Sequence, residues 1–216
     1  MTVELSETFS LVNSWINELR NVEIQHDRMR FRRNMERIGE IAAFEISKGL
    51  EITEIEIQTP LDTIKVQEIA VQPVITTILR AGVPLFEGIL NYFDKADCGF
   101  VAAYRKHDAN DYFSIKQDYL TCPNIDGRPL IVADPMLATG ASLIEAIKDL
   151  LTNGTPSQLH IVVAIASKQG VETIEKAYPQ AKIWVGAIDE NLTAKGYITP
   201  GLGDAGDLSY GEKLQR

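Results

Sequence analysis

Five short apolar runs constrain this chain more than any other feature. VITTIL (74–79), CGFVAAY (98–104), RPLIVAD (128–134), LHIVVAIA (159–166) and AKIWVGAI (181–188) are apolar at successive positions rather than alternate ones. A strand with one wet face alternates, whereas a strand covered on both faces does not. The runs therefore predict a mostly parallel sheet flanked by helices, an α/β fold. The segments between them agree: VPLFEGILNYF (83–93), Leu143 to Leu151 and VETIEKAY (171–178) have helical spacing. Pro84 lies in the first turn of one, and Gly154 and Pro179 stand where the others stop.

The remaining segments add an appendage to this sheet. Met35, Ile38, Ala42 and Ile46 mark a helix that Gly49 stops, and EITEIEIQTP (51–60) alternates as a half-exposed strand does. Arg28, Arg30, Arg32, Arg33 and Arg37 form a basic cluster, read as a solvated helix face or a subunit contact. RKHDANDYFSIKQDYL (105–120) is polar and long, as in a flexible hairpin or flap, with Lys106 to Leu120 as a candidate lid. KGYITPGLGDAGDLSYGE (195–212) holds five glycines and one proline, and Tyr197, Ile198, Leu202 and Leu208 are expected to anchor it as a shaped loop.

Charge and composition narrow the class. A net charge of −9 and a pI near 4.9 oppose broad binding to nucleic acid but permit one anion site built from a few arginines and backbone amides. MTVELSETFS lacks the basic and apolar regions of a secretory signal, and no apolar run approaches a membrane span, so a soluble cytoplasmic protein is expected. Cys98 and Cys122 lack CxxC spacing and read as ordinary thiols. His26 and His160 read as structural, and His107 as an exposed loop histidine.

The stretch LIVADPMLATGAS (130–142) carries chemistry. A buried strand ends at Asp134, and small residues then lead into a helix. Small residues let backbone N–H groups converge, and a helix N-terminus favours an anion, so the loop suits a monophosphate, with Thr139 and Ser142 as hydroxyl donors. An acid beside a phosphate makes sense when the ligand also carries hydroxyls, as a ribose phosphate does. GKS/GKT is absent, and LIVADPMLATGAS itself holds no GxGxxG, which removes the Walker and Rossmann alternatives for this loop. Arg80 and Arg105 also end apolar runs, and strand ends of one polarity face one crevice, so a second anionic group such as pyrophosphate fits there.

These residues resemble the phosphoribosyl-pyrophosphate (PRPP) loop of type I phosphoribosyltransferases. In the form DPMLATG, with Pro135 where most of that superfamily has a second acid, the loop resembles the uracil phosphoribosyltransferases. ILRAGVP (78–84), AYR (103–105), AIDENL (187–192) and GYITPGLGDAGD (196–207) agree with that family in order along the chain. The resemblance implies a type I fold with a parallel sheet, a flexible flap and a small base-binding hood, all in one domain over residues 1–216. It implies transfer of phosphoribosyl from PRPP to N1 of uracil, giving UMP and pyrophosphate.

Residue by residue, the resemblance implies that Arg80 and Arg105 contact pyrophosphate and that Asp134 holds the ribose hydroxyls. Pro135, Met136, Leu137, Ala138, Thr139, Gly140, Ala141 and Ser142 are implied to complete the PRPP site around the 5′-phosphate. Ile198, Gly203, Asp204 and Ala205 are implied to bind uracil, Asp204 also facing PRPP. Mg²⁺ is implied, bound mainly through PRPP rather than by a protein cage. A homodimer or higher assembly is implied too, with GTP an activator in some members. SKQG (167–170) departs from the family's usual Ala-Pro-Glu-Gly, and DLSYG (207–211) from a form with a basic residue and Phe. The first is expected to bear on a lid or subunit contact, the second on the outer wall of the base pocket. Two rival readings are a phosphoribosyltransferase fold that binds RNA as a regulator, and an enzyme for another base.

Overall fold

The computed structural model describes residues 1–107 and 113–213, and side chains outside 103–118. In chain order the elements are β1 (Thr2–Glu4), α1 (Leu11–Arg20), α2 (Arg28–Ser47), β2 (Ile52–Gln58), β3 (Thr63–Ile69), β4 (Val74–Leu79), α3 (Val83–Leu90), β5 (Asp97–His107) and β6 (Phe113–Thr121). There follow β7 (Pro129–Ala133), β8 (Met136–Leu137), α4 (Ala141–Leu150), β9 (Gln158–Ser167), α5 (Lys168–Ala177), β10 (Lys182–Asp189), β11 (Asn191–Leu192), β12 (Ile198–Thr199) and α6 (Ala205–Tyr210).

The main sheet runs β1-β10-β9-β7-β4-β5-β6, with β8 continuing beside β9. All its pairings are parallel except β5 with β6. Side chains of a strand alternate between faces, and the core divides accordingly. Ile131, Ala133, Val162 and Ala164 pack with α1, α2 and α3, whereas Leu130, Val132, Ile161 and Val163 pack with α4 and α5. Every side chain of β7 is buried, which is why the run shows no polar alternation. Burying each Val, Leu or Ile contributes about 1.5–3 kcal/mol, so the five-run sheet dominates the fold.

Topology picks out one crevice. From β4 the chain crosses to β5 through α3 on one face; from β7 it crosses the other way to β9 through α4 on the opposite face. The order reverses between β4 and β7, and at such a switch point the carboxyl ends of adjacent strands diverge and leave room for a ligand.

The structure corrects several local expectations. β1 joins the edge of the sheet beside β10, a strand of three residues too short to leave a period in the sequence. EITEIEIQTP is not half-covered: β2 pairs with β3 in a separate hairpin and only Ile55 of β2 is partly buried. α3 stops at Leu90, three residues early, and a turn then buries Phe93. α5 starts at Lys168 rather than Val171, because Ser167 caps it. Tyr197 is 58% exposed and does not anchor its loop, whereas Ile198 and Leu202 are buried. The expected flap falls on β5 and β6, which pair antiparallel; residues 108–112, and the side chain of His107, lie outside the described residues. Among the described residues no helix is long and apolar enough to cross a membrane.

Candidate functional site

The phosphate loop is an extension of the sheet. After β7 the Asp134 N–H donates to the Val162 carbonyl (3.1 Å), and the Pro135 carbonyl accepts from the N–H groups of Ala164 and Ile165 (3.1 Å each). Met136 and Leu137 then pair with Ile165 and Ala166 as β8. The acid and proline form a bulge in a strand that resumes beyond them, where the sequence suggested only a loop. Gly140 follows with φ +85°, a left-handed conformation that glycine adopts without strain, and caps α4 with no side-chain acceptor. Of the N–H groups of that first turn, that of Ala141 makes only a long bond to Thr139 Oγ1 (3.5 Å), a weak contact that a phosphate oxygen can replace.

Asp134, Met136, Leu137, Ala138, Thr139, Gly140, Ser142 and Leu143 line a cavity of about 90 Å³. That is the space of about three waters, enough to seat a tetrahedral anion. Ala141 is exposed at its rim, and Pro135 is buried behind it.

Across the switch point, Arg80 lies on the turn between β4 and α3. Its Nη2 donates to Asp207 Oδ1 (2.7 Å) and to the Gly211 carbonyl (2.8 Å). The turn packs against the end of β7: a Cβ on Gly82 would lie 2.9 Å from the Ala133 carbonyl oxygen, next to Asp134. Gly206 marks where the hood meets this turn, since a Cβ there would lie 3.2 Å from Asp204 Oδ1, 3.6 Å from Ala81 Cβ and 3.7 Å from Arg80 Nε. Arg80, Asp204 and the β7 end thus converge. Arg105 lies on β5 three residues beyond the Leu79–Ala102 pairing that ends β4; its side chain is outside the described residues.

The hood is hung from helices by polar side chains. Arg20 of α1 forms a fork with Asp189 at the end of β10 (2.8 and 2.7 Å) and donates to the Gly201 carbonyl (3.1 Å). Asp189 in turn accepts from the Gly201 N–H (2.9 Å), so both polar groups of Gly201 are held. Gln25 donates to the Leu202 carbonyl (3.1 Å), and Arg32 to the Ser209 carbonyl (2.7 Å) while lying over the Tyr210 ring. Ile198 and Ala205 are buried in the core, so any contact they make with a base is through the backbone. Gly203 and Asp204 are exposed at the turn between them.

Asp204 caps α6 by accepting from the Asp207 N–H (3.0 Å) and pairs with Lys213 (2.8 Å). Burial pushes its carboxyl up, but the Lys213 hydrogen bond and charge and the backbone N–H bonds outweigh that, holding it below the usual carboxylate value. It is an anion at neutral pH.

Arg20, Gln25, Arg32, Asp189 and Asp207 escaped the sequence reading as site-building residues. Asp189 carried a usable signal, an acid closing a buried strand as Asp134 does. The arginine cluster is largely paired within the chain: Arg30 with Glu18, Arg33 with Glu36 and Glu40, Arg37 with Asn34, and Arg32 with the hood. SKQG begins α5 directly beneath the phosphate loop. DLSYG forms α6, where Asp207 takes Arg80 and Ser209 is fully buried.

The comparisons with known proteins agree with this geometry. A family model described as uracil phosphoribosyltransferase matches residues 7–211. A uracil phosphoribosyltransferase of Porphyromonas gingivalis is 47% identical over 213 residues, 98% of this chain and 99% of its own. One of Thermococcus gammatolerans is 39% identical over 194 residues, 88% of this chain and 85% of its own. Among solved structures, the AQ2163 protein from Aquifex aeolicus is 30% identical with a TM-score of 0.87 over 100% of both chains. The type I phosphoribosyltransferase fold expected from the motifs is therefore present, and the chain belongs to the uracil phosphoribosyltransferase family.

Proposed function

We infer that this chain transfers the phosphoribosyl group of PRPP to N1 of uracil, releasing UMP and pyrophosphate. The observation that carries this reading is the meeting, at one switch-point crevice, of an anion-sized cradle after β7 and a rigid glycine-shaped hood loop over the Arg80 turn. The N1–C1′ bond forms as the C1′–O bond breaks; the electron pair of that bond leaves with pyrophosphate, and the N1 proton passes to solvent or to pyrophosphate.

Each residue's part follows from its chemistry. The amides of Thr139 to Ser142 hold the 5′-phosphate at the start of α4, and Asp134 accepts from the ribose hydroxyls. Arg80 uses Nη2 for the hood, and its guanidinium has three further N–H donors for pyrophosphate; Arg105 approaches from β5. Uracil offers two carbonyl acceptors around one N3–H donor, which the backbone near Gly203 and Asp204 can match, whereas cytosine would leave groups unpaired. Such a site works by alignment and by stabilising the charge that develops on the leaving group. The β5–β6 hairpin, which overhangs the end of β4, would exclude water, the competing nucleophile.

Among the described residues no group of three or more His, Cys, Asp or Glu is gathered to hold a metal ion. Asp134 supplies the hard oxygen that Mg²⁺ prefers, so an ion carried in on PRPP would meet a suitable ligand there and would add charge neutralisation at pyrophosphate. Residues 1–216 act as one domain, a reading supported by the shared core of α1, α2, Ile198 and Ala205. Self-association is supported by Ile57 and Ile64, cross-strand partners both exposed on the β2–β3 hairpin, and sedimentation would measure it.

The test is UMP formation from PRPP, Mg²⁺ and each of uracil, cytosine, xanthine and hypoxanthine. Turnover of uracil alone is expected, with kcat/KM about 10- to 100-fold lower in Asp204→Asn, which keeps the α6 cap but loses the charge. Absence of uracil turnover would sink the reading.

A further inference from the structure

We propose that Ser167 is a positioning residue for the phosphate loop, aiming a backbone N–H at the substrate's 5′-phosphate through the Ala138 peptide. This rests on the reading of 136–142 as the PRPP loop. Ser167 ends β9 and caps α5, and none of its surface is exposed. Its Oγ accepts from the Gly170 N–H at 2.9 Å and donates to the Ala138 carbonyl at 2.6 Å. A hydroxyl has one proton, and the Gly170 N–H on the lone-pair side directs that proton at Ala138.

The consequence follows from peptide geometry. The peptide between Ala138 and Thr139 is trans, so its carbonyl and N–H point in opposite directions. Ala138 O is held down onto α5, so the Thr139 N–H points away from α5, and in the proposed arrangement it lies towards Asp134, Thr139 and Ser142, which line the cradle. Gly170 completes the contact: a Cβ there would overlap the Ala138 carbonyl oxygen and lie 2.7 Å from that of Leu137, so α5 and the loop touch backbone to backbone.

The same place distinguishes this chain from the family's usual Ala-Pro-Glu-Gly, which has no hydroxyl at its first position. Here Lys168 stands in the proline's place, and the Ser167 hydroxyl sets both the start of the helix and the orientation of the loop. The departed segment bears on PRPP.

The experiment measures PRPP and ribose 5-phosphate binding by calorimetry, together with KM for each substrate, kcat and Tm, in wild type, Ser167→Ala and Ser167→Thr. Loss of one well-placed hydrogen bond is expected to weaken PRPP and ribose 5-phosphate about fivefold in Ser167→Ala, with uracil KM and kcat unchanged and Ser167→Thr restoring affinity. Unchanged PRPP affinity in Ser167→Ala would overturn the proposal. So would a fall in Tm with PRPP and uracil affected in proportion, the result of a purely structural cap. If Ser167→Ala does not fold, Ser167→Cys, close in volume but a poor donor, carries the same expectation. Binding is read without turnover: wild-type protein that binds PRPP but does not consume uracil would refute the proposed reaction and leave this inference to be decided by the Ser167→Ala affinity.

Discussion

The two loops that face each other across the crevice are held in opposite ways. The phosphate loop is fastened by β9 and α5, which follow it in sequence after α4: the Val162 carbonyl, the N–H groups of Ala164 and Ile165, and the Ser167 hydroxyl. The hood loop is fastened by side chains of the two N-terminal helices and the turn between them, with Arg20 and Gly201 separated by 181 residues, and Gln25 and Leu202 by 177. One loop is part of the sheet and is as stable as the sheet. The other depends on a few polar side chains, and removing one of them should disable it selectively.

Arg20→Ala is the largest expected effect. Asp189 is 6% exposed, and without Arg20 its charge would keep the Gly201 N–H but lose the guanidinium fork. Stranding a buried carboxylate costs about 3–5 kcal/mol. Urea denaturation should show that loss, and KM for uracil should rise much more than KM for PRPP. Equal changes in the two constants would break the distinction between the loops.

The same difference explains what could be read in advance. β4, β7, β9 and β10 were legible because continuous burial writes itself into consecutive residues, and the phosphate loop because strand, acid, small residues and helix are contiguous. The hood's own motif was legible, but its supports were not: Arg20 and Arg32 on helices and Gln25 on the turn between them look like ordinary polar positions until a loop nearly the full chain length away packs on them. β1 and β3 were missed for another reason, since three residues carry no period and an exposed hairpin shows none of the burial that marks the core. Ser167 fell between, recognisable as a departure but with its consequence hidden in a contact to Ala138.

Acid should discriminate the regions next. His160 sits on β9, the strand to which the phosphate loop is fastened; Trp184 donates to its Nδ1 (3.1 Å), so Nε2 carries the proton and donates to Gln158 Oε1 (3.0 Å). Burial, and secondarily the Lys182 charge, lower its pKa to about 4. The unfolded chain takes up this proton near pH 6.5, whereas the folded protein resists it until about 4. Stability present at neutral pH is therefore lost as pH falls through that window, by about 3 kcal/mol. His160→Gln should flatten the loss in denaturation curves recorded from pH 7 to 4, with uracil KM at pH 7 unaltered. An equally steep loss in the variant would assign acid sensitivity to other groups.

Gly170→Ala is the smallest effect and the sharpest probe. The added methyl group would overlap the Ala138 carbonyl, and since both partners are backbone, the loop or the start of α5 must shift, at about 2 kcal/mol. KM for PRPP should rise while KM for uracil holds, the reverse of Arg20→Ala. Combining the two variants then tests whether the loops are independent. Sites fastened to separate supports should give losses that add within about 0.5 kcal/mol. Arg80 links them, since its turn packs on the end of β7 and its Nη2 holds Asp207 and Gly211 in the hood, and Gly196 of the hood lies near Thr139. A deviation from additivity that vanishes in an Asp207→Asn background would locate the coupling in the Arg80–Asp207 ion pair, and one that persists would place it in the Gly196 contact or the shared core behind both loops.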